Sequence, residues 1–284
     1  MDFIEKYTQI DDITIYVRHN KLSSAKPTLL FLHGLGDSGL AFEQVFQQDQ
    51  FEGFNLIVCD LPGYGRSSRA KDYSFNVQVK RLWALITFLE NSEIIRINNL
   101  GIVAHSMGAI PAVLMCQTDR ENIIKRLALV EGTISPYGSS IPEIVSQLSK
   151  KEFELWFEID YLETVIQRGL LPRLPFSKHY HASLVFCDRK AFRDNAKEMK
   201  RKLGSFEDEE ENQIGPYFAG LHIPRLYFYA THSIPLEVKE FLNRNHIPAK
   251  ELPYDSHFLM SENPPDFYKH LYKFFRTEPE VYII

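Results

Sequence analysis

The residue best suited to chemistry is Ser106, which lies in the stretch Ala104–Gly108. The apolar run 100–103 precedes this stretch and a predicted helix, 109–115, follows it, so Ser106 occupies a strand-to-helix junction. Only small side chains fit two positions before and after a serine at the tip of so tight a turn, and the next backbone N–H is free to bind an oxyanion. The pattern predicts a nucleophile elbow, although by itself it also fits a strand that ends in an ordinary turn.

Three further segments favour the nucleophile elbow. Residues 28–36 form an apolar run that ends in His-Gly-Leu-Gly, residues 54–68 contain the pattern D-x-P-G-x-G-x-S, and residues 255–264 place His257 before a final helix. In their order and approximate spacing, these segments and the serine turn resemble the α/β-hydrolase-fold serine hydrolases, of the esterase and lipase type with a cap domain. The resemblance implies both a fold and a set of site residues.

In this resemblance Ser106 is the nucleophile and His257 is the general base that takes its proton. The backbone N–H groups of Leu35 and Met107 form the oxyanion hole, where each donor is worth about 3–4 kcal/mol of barrier in comparable enzymes. We expect His33, Gly34 and His105 to line the site, where His33 braces the oxyanion loop and His105 either lines the site or packs beneath it.

The acid of the expected triad is missing from its usual position. The family carries an Asp after the strand that here spans 225–230, and in this chain Ser233 stands there. The preceding predicted strand ends at Glu131, and a carboxylate buried at a strand end needs a partner such as a histidine. We therefore predict that Glu131, rather than Asp255, orients His257. The alternative is that Glu131 is an ordinary strand-end side chain that faces solvent.

Composition limits the classes of partner and the compartment. The chain has 284 residues and a formal net charge of −5, whereas nucleic-acid-binding domains carry a basic face, so we expect no nucleic-acid partner. Three cysteines without a C-x-x-C pair predict no disulfide framework, and we expect no metal and no cofactor. No apolar stretch approaches the roughly 20 residues that span a bilayer. We therefore predict a cytoplasmic protein without a transmembrane segment.

Hydrophobic runs predict an α/β fold with a mostly parallel central sheet flanked by helices. Strands alternate with helices up to residue 133, which implies right-handed βαβ units. Buried-strand runs then stop until residue 225, an interruption too long for bare loop. We therefore predict a core domain from residues 1–133 and 221–284, with a helical cap, residues 134–220, inserted into it. Within this cap we expect one helical stretch over residues 143–156.

Together the motifs predict a serine hydrolase that cleaves a carboxylic ester, thioester, lactone or related small acyl compound through an acyl-serine intermediate. Aromatic residues such as Trp156 and Phe218 favour an apolar substrate pocket, and ordinary core packing explains them equally well. Two alternatives stay open. One is a carbon–carbon bond hydrolase or acyl-transferring cyclase on the same triad, and the other is a non-catalytic small-ligand-binding protein of the same fold. The sequence leaves the substrate's identity and the oligomeric state open.

Overall fold

One sheet of eight strands runs through the computed structural model, which describes residues 1–138, 140–205 and 211–276. The strands are β1 Ile4–Ile10, β2 Ile13–His19, β3 Thr28–Leu32, β4 Asn55–Cys59, β5 Leu100–His105, β6 Ile124–Val130, β7 Arg225–Ala230 and β8 Ala249–Leu252. Their spatial order is β1-β2-β4-β3-β5-β6-β7-β8. β2 pairs antiparallel with both β1 and β4, and the remaining pairs are parallel. The predicted mostly parallel sheet is confirmed.

Helices connect and flank these strands. They are α1 Phe75–Glu93, α2 Ala109–Thr118, α3 Ser140–Gln147, α4 Lys150–Leu155, α5 Leu171–Arg173, α6 Lys178–Phe186, α7 Arg189–Leu203, α8 Ile214–Ala219, α9 Leu236–Arg244, α10 Leu259–Glu262 and α11 Pro264–Arg276. A π-helical segment, Trp156–Leu170, joins α4 to α5. Within the described ranges, no helix combines the length and the apolar character needed to cross a membrane.

The central strands are apolar along their whole length because both faces of the sheet are covered. Every residue of β3, β4 and β5 is buried, as expected for parallel strands between two layers of helices. β3 lies between β4 and β5, with Thr28 opposite both Asn55 and Leu100. Parallel strands end at the same edge of a sheet, so the loops that follow β3, β5 and β6 leave it side by side. These loops carry the predicted site residues other than His105, which ends β5, and His257, which follows β8.

Between β6 and β7 the described residues form the helices α3 to α8 and no strand. The single helical stretch predicted over 143–156 is wrong, because α3 ends and α4 begins within it. Ser149 causes the break: its hydroxyl accepts a hydrogen bond from the N–H of Glu152, whose carboxylate accepts one from the N–H of Ser149. Such a reciprocal pair starts a new helix. The division into a core domain and a cap over residues 134–220 stays a prediction.

Candidate active site

Ser106 lies at the turn between β5 and α2 in a strained backbone conformation. Its φ is +50°, in the left-handed region that residues with a side chain rarely adopt. A Cβ at Gly108 would lie 2.6 Å from the carbonyl oxygen of Leu32, so the chain can pass β3 only because this position is glycine. A Cβ at Gly34 would lie 3.0 Å from the Cβ of Ser106. The small residues therefore bring the serine turn directly against the loop that follows β3.

Glu131 follows β6 and holds His257. Its Oε2 lies 2.6 Å from Nδ1 of His257, and its side chain is 1% exposed. The other carboxylate oxygen accepts hydrogen bonds from the N–H of Ala230, at 2.8 Å, and from the hydroxyl of Ser233. Three donors thus surround a buried carboxylate and offset the cost of its burial. Ser233 thus supports Glu131 from the position at which the family carries an Asp. Because a carboxylate only accepts hydrogen bonds, Nδ1 of His257 carries the proton, and Nε2 is left able to accept one.

His105 packs against His257 on the wall of the site. Their ring centroids are 4.5 Å apart, and Nε2 of His105 lies 3.0 Å from the carbonyl oxygen of His257. A carbonyl oxygen only accepts, so Nε2 of His105 carries a proton and donates it to this bond. Burial, together with the neighbouring His257, holds the pKa of His105 well below its usual value. His105 is therefore a neutral residue that fixes the backbone of His257.

His33 lies beneath the loop after β3 and braces it. The ring is fully buried; its Nε2 accepts a hydrogen bond from the N–H of Leu61 at 2.9 Å, and its Nδ1 donates to the carbonyl oxygen of Gly34 at 2.8 Å. Burial lowers the pKa of His33, so the ring stays neutral and keeps both bonds. The sequence predicts that His33 braces this loop, and its two hydrogen bonds agree with that role. Gly34 and Leu35 line the cavity, whereas His33 lies behind them rather than on the wall.

Helix α6 holds the same loop from the opposite side. The hydroxyl of Tyr180 donates to the carbonyl oxygen of Leu35 at 3.1 Å, and it receives a hydrogen bond from Tyr161, whose oxygen lies 2.6 Å away. Two further contacts join α6 to this loop: the hydroxyls of Ser38 and Ser183 lie 2.7 Å apart, and His179 faces the buried carboxylate of Asp37 at 3.7 Å.

Sequence reasoning missed these contacts of α6. Tyr180 and Leu35 are 145 residues apart, and no local pattern marks two residues that meet only through the tertiary fold. The nearest signal in the sequence is the aromatic content of the predicted cap, which includes Tyr161. From the sequence alone, these aromatic residues are explained equally well by a substrate pocket and by ordinary core packing.

Two cavities meet at Ser106 and His257, and their walls differ in chemistry. The larger cavity, about 340 Å³, has mainly apolar and aromatic walls that include Trp156, Val165 and Phe258. The smaller cavity, about 240 Å³, is rich in hydroxyl groups. The residues that supply these hydroxyls are Thr133, Ser135, Tyr137, Ser140, Tyr227 and Ser233. Among the described residues of both walls there is no lysine or arginine.

Comparisons with known proteins agree with this architecture. A family model described as the alpha/beta hydrolase fold matches residues 27–264. Among curated proteins, the probable lysophospholipase BODYGUARD 4 of Arabidopsis thaliana is 27% identical over 144 residues. This match covers 49% of the chain and 32% of the plant protein, so the matched segment spans about a third of that relative's length.

Solved structures share the fold at low sequence identity. The enol-lactonase from Burkholderia xenovorans LB400 superposes with a TM-score of 0.73 at 17% identity, covering 96% of this chain and 100% of its own. The 2-hydroxy-6-oxo-6-phenylhexa-2,4-dienoate hydrolase from Rhodococcus sp. strain RHA1 reaches 0.67 at 17% identity, covering 97% and 99%. These likenesses establish the fold alone, because one fold hosts many reactions.

Proposed function

The chain belongs to the α/β-hydrolase fold family, and we propose that it is a serine hydrolase that cleaves an uncharged ester, thioester or lactone through an acyl-serine intermediate. One observation carries the proposal. Ser106 and His257 line the same cavities, and the imidazole of His257 lies 2.6 Å from the buried carboxylate of Glu131. A nucleophile, a base and an acid that orients the base are the three parts that such chemistry needs.

In the acylation step, Nε2 of His257 takes the hydroxyl proton of Ser106 while the serine oxygen attacks the acyl carbon. Glu131 stabilises the imidazolium that forms and keeps its tautomer, through the hydrogen bond to Nδ1. The backbone N–H groups of Leu35 and Met107 bind the oxyanion. His257 then gives its proton to the leaving group, the bond between the acyl carbon and the leaving group breaks, and the acyl group remains on Ser106.

In the deacylation step, a water molecule attacks the acyl carbon and His257 takes one of its protons. The tetrahedral intermediate collapses, the ester bond to Ser106 breaks, and His257 returns the proton to the serine oxygen. The products are the carboxylic acid and the free enzyme. No group outside the chain other than water is consumed.

The bracing of the oxyanion loop supports this assignment. Donors to an oxyanion accelerate a reaction only if they are oriented before it starts. The loop that carries Leu35 is held by His33 from below and by Tyr180 from the side of α6. Bonds on both sides of a short loop are the arrangement expected of a preorganised oxyanion hole.

The walls of the cavities support an apolar and uncharged substrate. An anionic group, such as the phosphate of a phospholipid, calls for a cation, and the described walls offer none. We further propose that the helices of residues 134–220 form a cap that selects the substrate. The three cysteines of the chain are free thiols, which accords with the reducing cytoplasm as the compartment.

A fluorophosphonate probe, which phosphonylates activated serines, tests the proposal directly. We expect the native chain to gain one probe mass on the peptide that contains Ser106, and Ser106→Ala to gain none. Ser205→Ala, a serine variant outside both cavities, should label like the native chain. No labelling of the native chain would favour the non-catalytic binding protein, and equal labelling of Ser106→Ala would assign the nucleophile to another residue.

A further inference from the structure

We propose that the smaller cavity binds the leaving group of the substrate, and that this group is a neutral polyol of the glycerol type. The substrate is then an ester between an apolar acyl chain and such an alcohol. This inference rests on the proposed function, since it assigns the two halves of the molecule that Ser106 would cleave. It goes beyond that function by naming the chemistry of the leaving group.

The position of the two cavities divides a substrate at the serine. Ser106 and His257 line both cavities, so an ester whose acyl carbon lies at Ser106 must extend one half into each. Leu35, with its predicted oxyanion donor, lines only the larger one. That cavity is lined by Trp156 and Leu170, among other apolar residues, and suits a hydrocarbon chain. The second half of the substrate is left to the smaller cavity.

The smaller cavity matches a hydroxyl-bearing group in its own chemistry. Hydroxyl side chains both donate and accept hydrogen bonds, as the hydroxyls of a polyol do. Tyr227 donates to the carbonyl oxygen of Gly132 at 3.0 Å, and Ser233 donates to Glu131. Thr133, Ser135 and Ser140 supply further hydroxyls to the wall.

The loop after β6 carries two of these hydroxyls and lines the same cavity as Ser106. The N–H of Thr133 donates to the carbonyl oxygen of Ser106 at 3.0 Å, so this loop is tied to the serine turn. Ser135 lies two residues further along and is 1% exposed. A leaving group that accepts its proton from His257 and enters this cavity therefore meets a wall that includes Thr133 and Ser135.

The charges around the cavity exclude the other common leaving groups. Glu131 lies on its wall, and a buried carboxylate repels a phosphate or a second carboxylate. The described wall offers no lysine or arginine to compensate. A purely hydrocarbon alcohol would offer no hydrogen bond to the hydroxyls of Thr133, Ser135 and Ser140, which costs free energy. A neutral alcohol with more than one hydroxyl carries no negative charge near Glu131 and offers hydrogen bonds to the hydroxyls of the wall.

Three substrates with one acyl chain test the inference: 1-octanoylglycerol, methyl octanoate and octanoyl-coenzyme A, each below its micelle concentration. The readout is kcat/KM for release of octanoate by the purified protein. We expect the glycerol ester to exceed the methyl ester by roughly tenfold or more, as two hydrogen bonds would give, and the anionic thioester to be the poorest. Equal or better cleavage of the methyl ester, or a preference for the thioester, would overturn the inference.

Variants locate the effect. Thr133→Val and Ser135→Ala should lower the ratio of glycerol ester to methyl ester towards one, whereas Thr87→Val, an exposed threonine of α1, should keep the native ratio. A ratio that does not change in either cavity variant would contradict the inference. If none of the three substrates is cleaved and the fluorophosphonate probe does not label Ser106, the proposed hydrolase function itself fails. This result differs from failure of the leaving-group inference alone, in which Ser106 is labelled and esters are cleaved without a preference for the glycerol ester.

Discussion

The sheet side and the helical side of this site are built by different means. On the sheet side, Ser106 and Glu131 follow adjacent strands and have φ of +50° and +44°. On the helical side, Ile144 and Val165 line the larger cavity and are 39% and 51% exposed. Strained backbone persists only where its surroundings fix it, whereas exposed apolar side chains are available to a ligand. We infer that the backbone fixes the groups of the proposed triad in advance, whereas the apolar wall is stabilised when a substrate covers it.

The largest effect is expected from Ser106→Ala on the sheet side. We expect hydrolysis of a cleavable ester to fall by on the order of 10⁵–10⁶-fold, because no other group forms the acyl intermediate. The thermal midpoint should stay within about 4 °C of native, since the hydroxyl serves chemistry rather than packing. Steady-state kinetics and thermal unfolding measure the two effects. Retained hydrolysis would assign the nucleophile to another residue.

Glu131→Gln should give the next largest loss. The amide keeps the shape of the side chain but removes the charge that stabilises the imidazolium of His257, so we expect kcat to fall by about 10³–10⁴-fold. Ser233→Ala is the matched comparison: it removes one of the donors to Glu131 and leaves the N–H of Ala230 in place. It should cost only about tenfold. A Glu131→Gln variant with more than a tenth of native kcat would refute the role of Glu131.

The two sides also differ in how far the sequence predicts them. On the sheet side the prediction reaches individual residues, because a tight turn needs small neighbours and the register of parallel strands brings Glu131 to the edge beside Ser106. The contact between Glu131 and Ser233 escaped prediction. It joins residues 102 positions apart and depends on the backbone bend at Glu131, which has no local signature.

On the helical side the sequence predicts helices but not their contacts. Amphipathic patterns show which face of a helix is buried, yet they do not show against which loop it is buried. Tyr180 bonds to Leu35, and nothing near either residue in the sequence indicates the other. The predicted helix over 143–156 also passes over the break at Ser149, although Ser149 and Glu152 form a local capping signal.

Tyr180→Phe tests how far the helical side contributes to the reaction. The change removes the donor to the carbonyl oxygen of Leu35 and keeps the ring in its packing. We expect kcat to fall by about tenfold, the worth of one buried hydrogen bond, while KM stays near native because the loop and not the substrate loses the contact. Tyr161→Phe, which removes only the bond to Tyr180, should have a smaller effect on kcat. A change confined to KM would assign Tyr180 to substrate binding instead.

The smallest expected effect concerns pH and the pair of His179 with Asp37. Burial acts to lower the pKa of His179, but the carboxylate of Asp37 outweighs it, so the pKa of His179 is raised. For Asp37, burial acts to raise the pKa and His179 outweighs it, so that pKa is lowered. Two other histidines, His33 and His105, also face Asp37, but burial lowers their pKa values and keeps them neutral. Glu43 adds a negative charge near His179, which acts to raise the pKa of His179 further.

The signs of these shifts define a pH window for stability. A raised pKa means that the contribution of His179 is complete below its unfolded value, about 6.5, and is lost as the pH rises through its folded value. The lowered pKa of Asp37 means that its contribution is present above about pH 3.9 and is lost as the pH falls through its folded value.

The thermal midpoint of the native chain should therefore exceed that of His179→Gln by a few degrees at pH 5–6. This difference in thermal midpoint should become smaller towards pH 9. There His179 is neutral and, like the glutamine of the variant, offers no positive charge to Asp37. His181→Gln, on the same helix but bonded to Gln167, should show no such trend. A gap that widens with pH would mean that the pair does not fasten α6 to the loop.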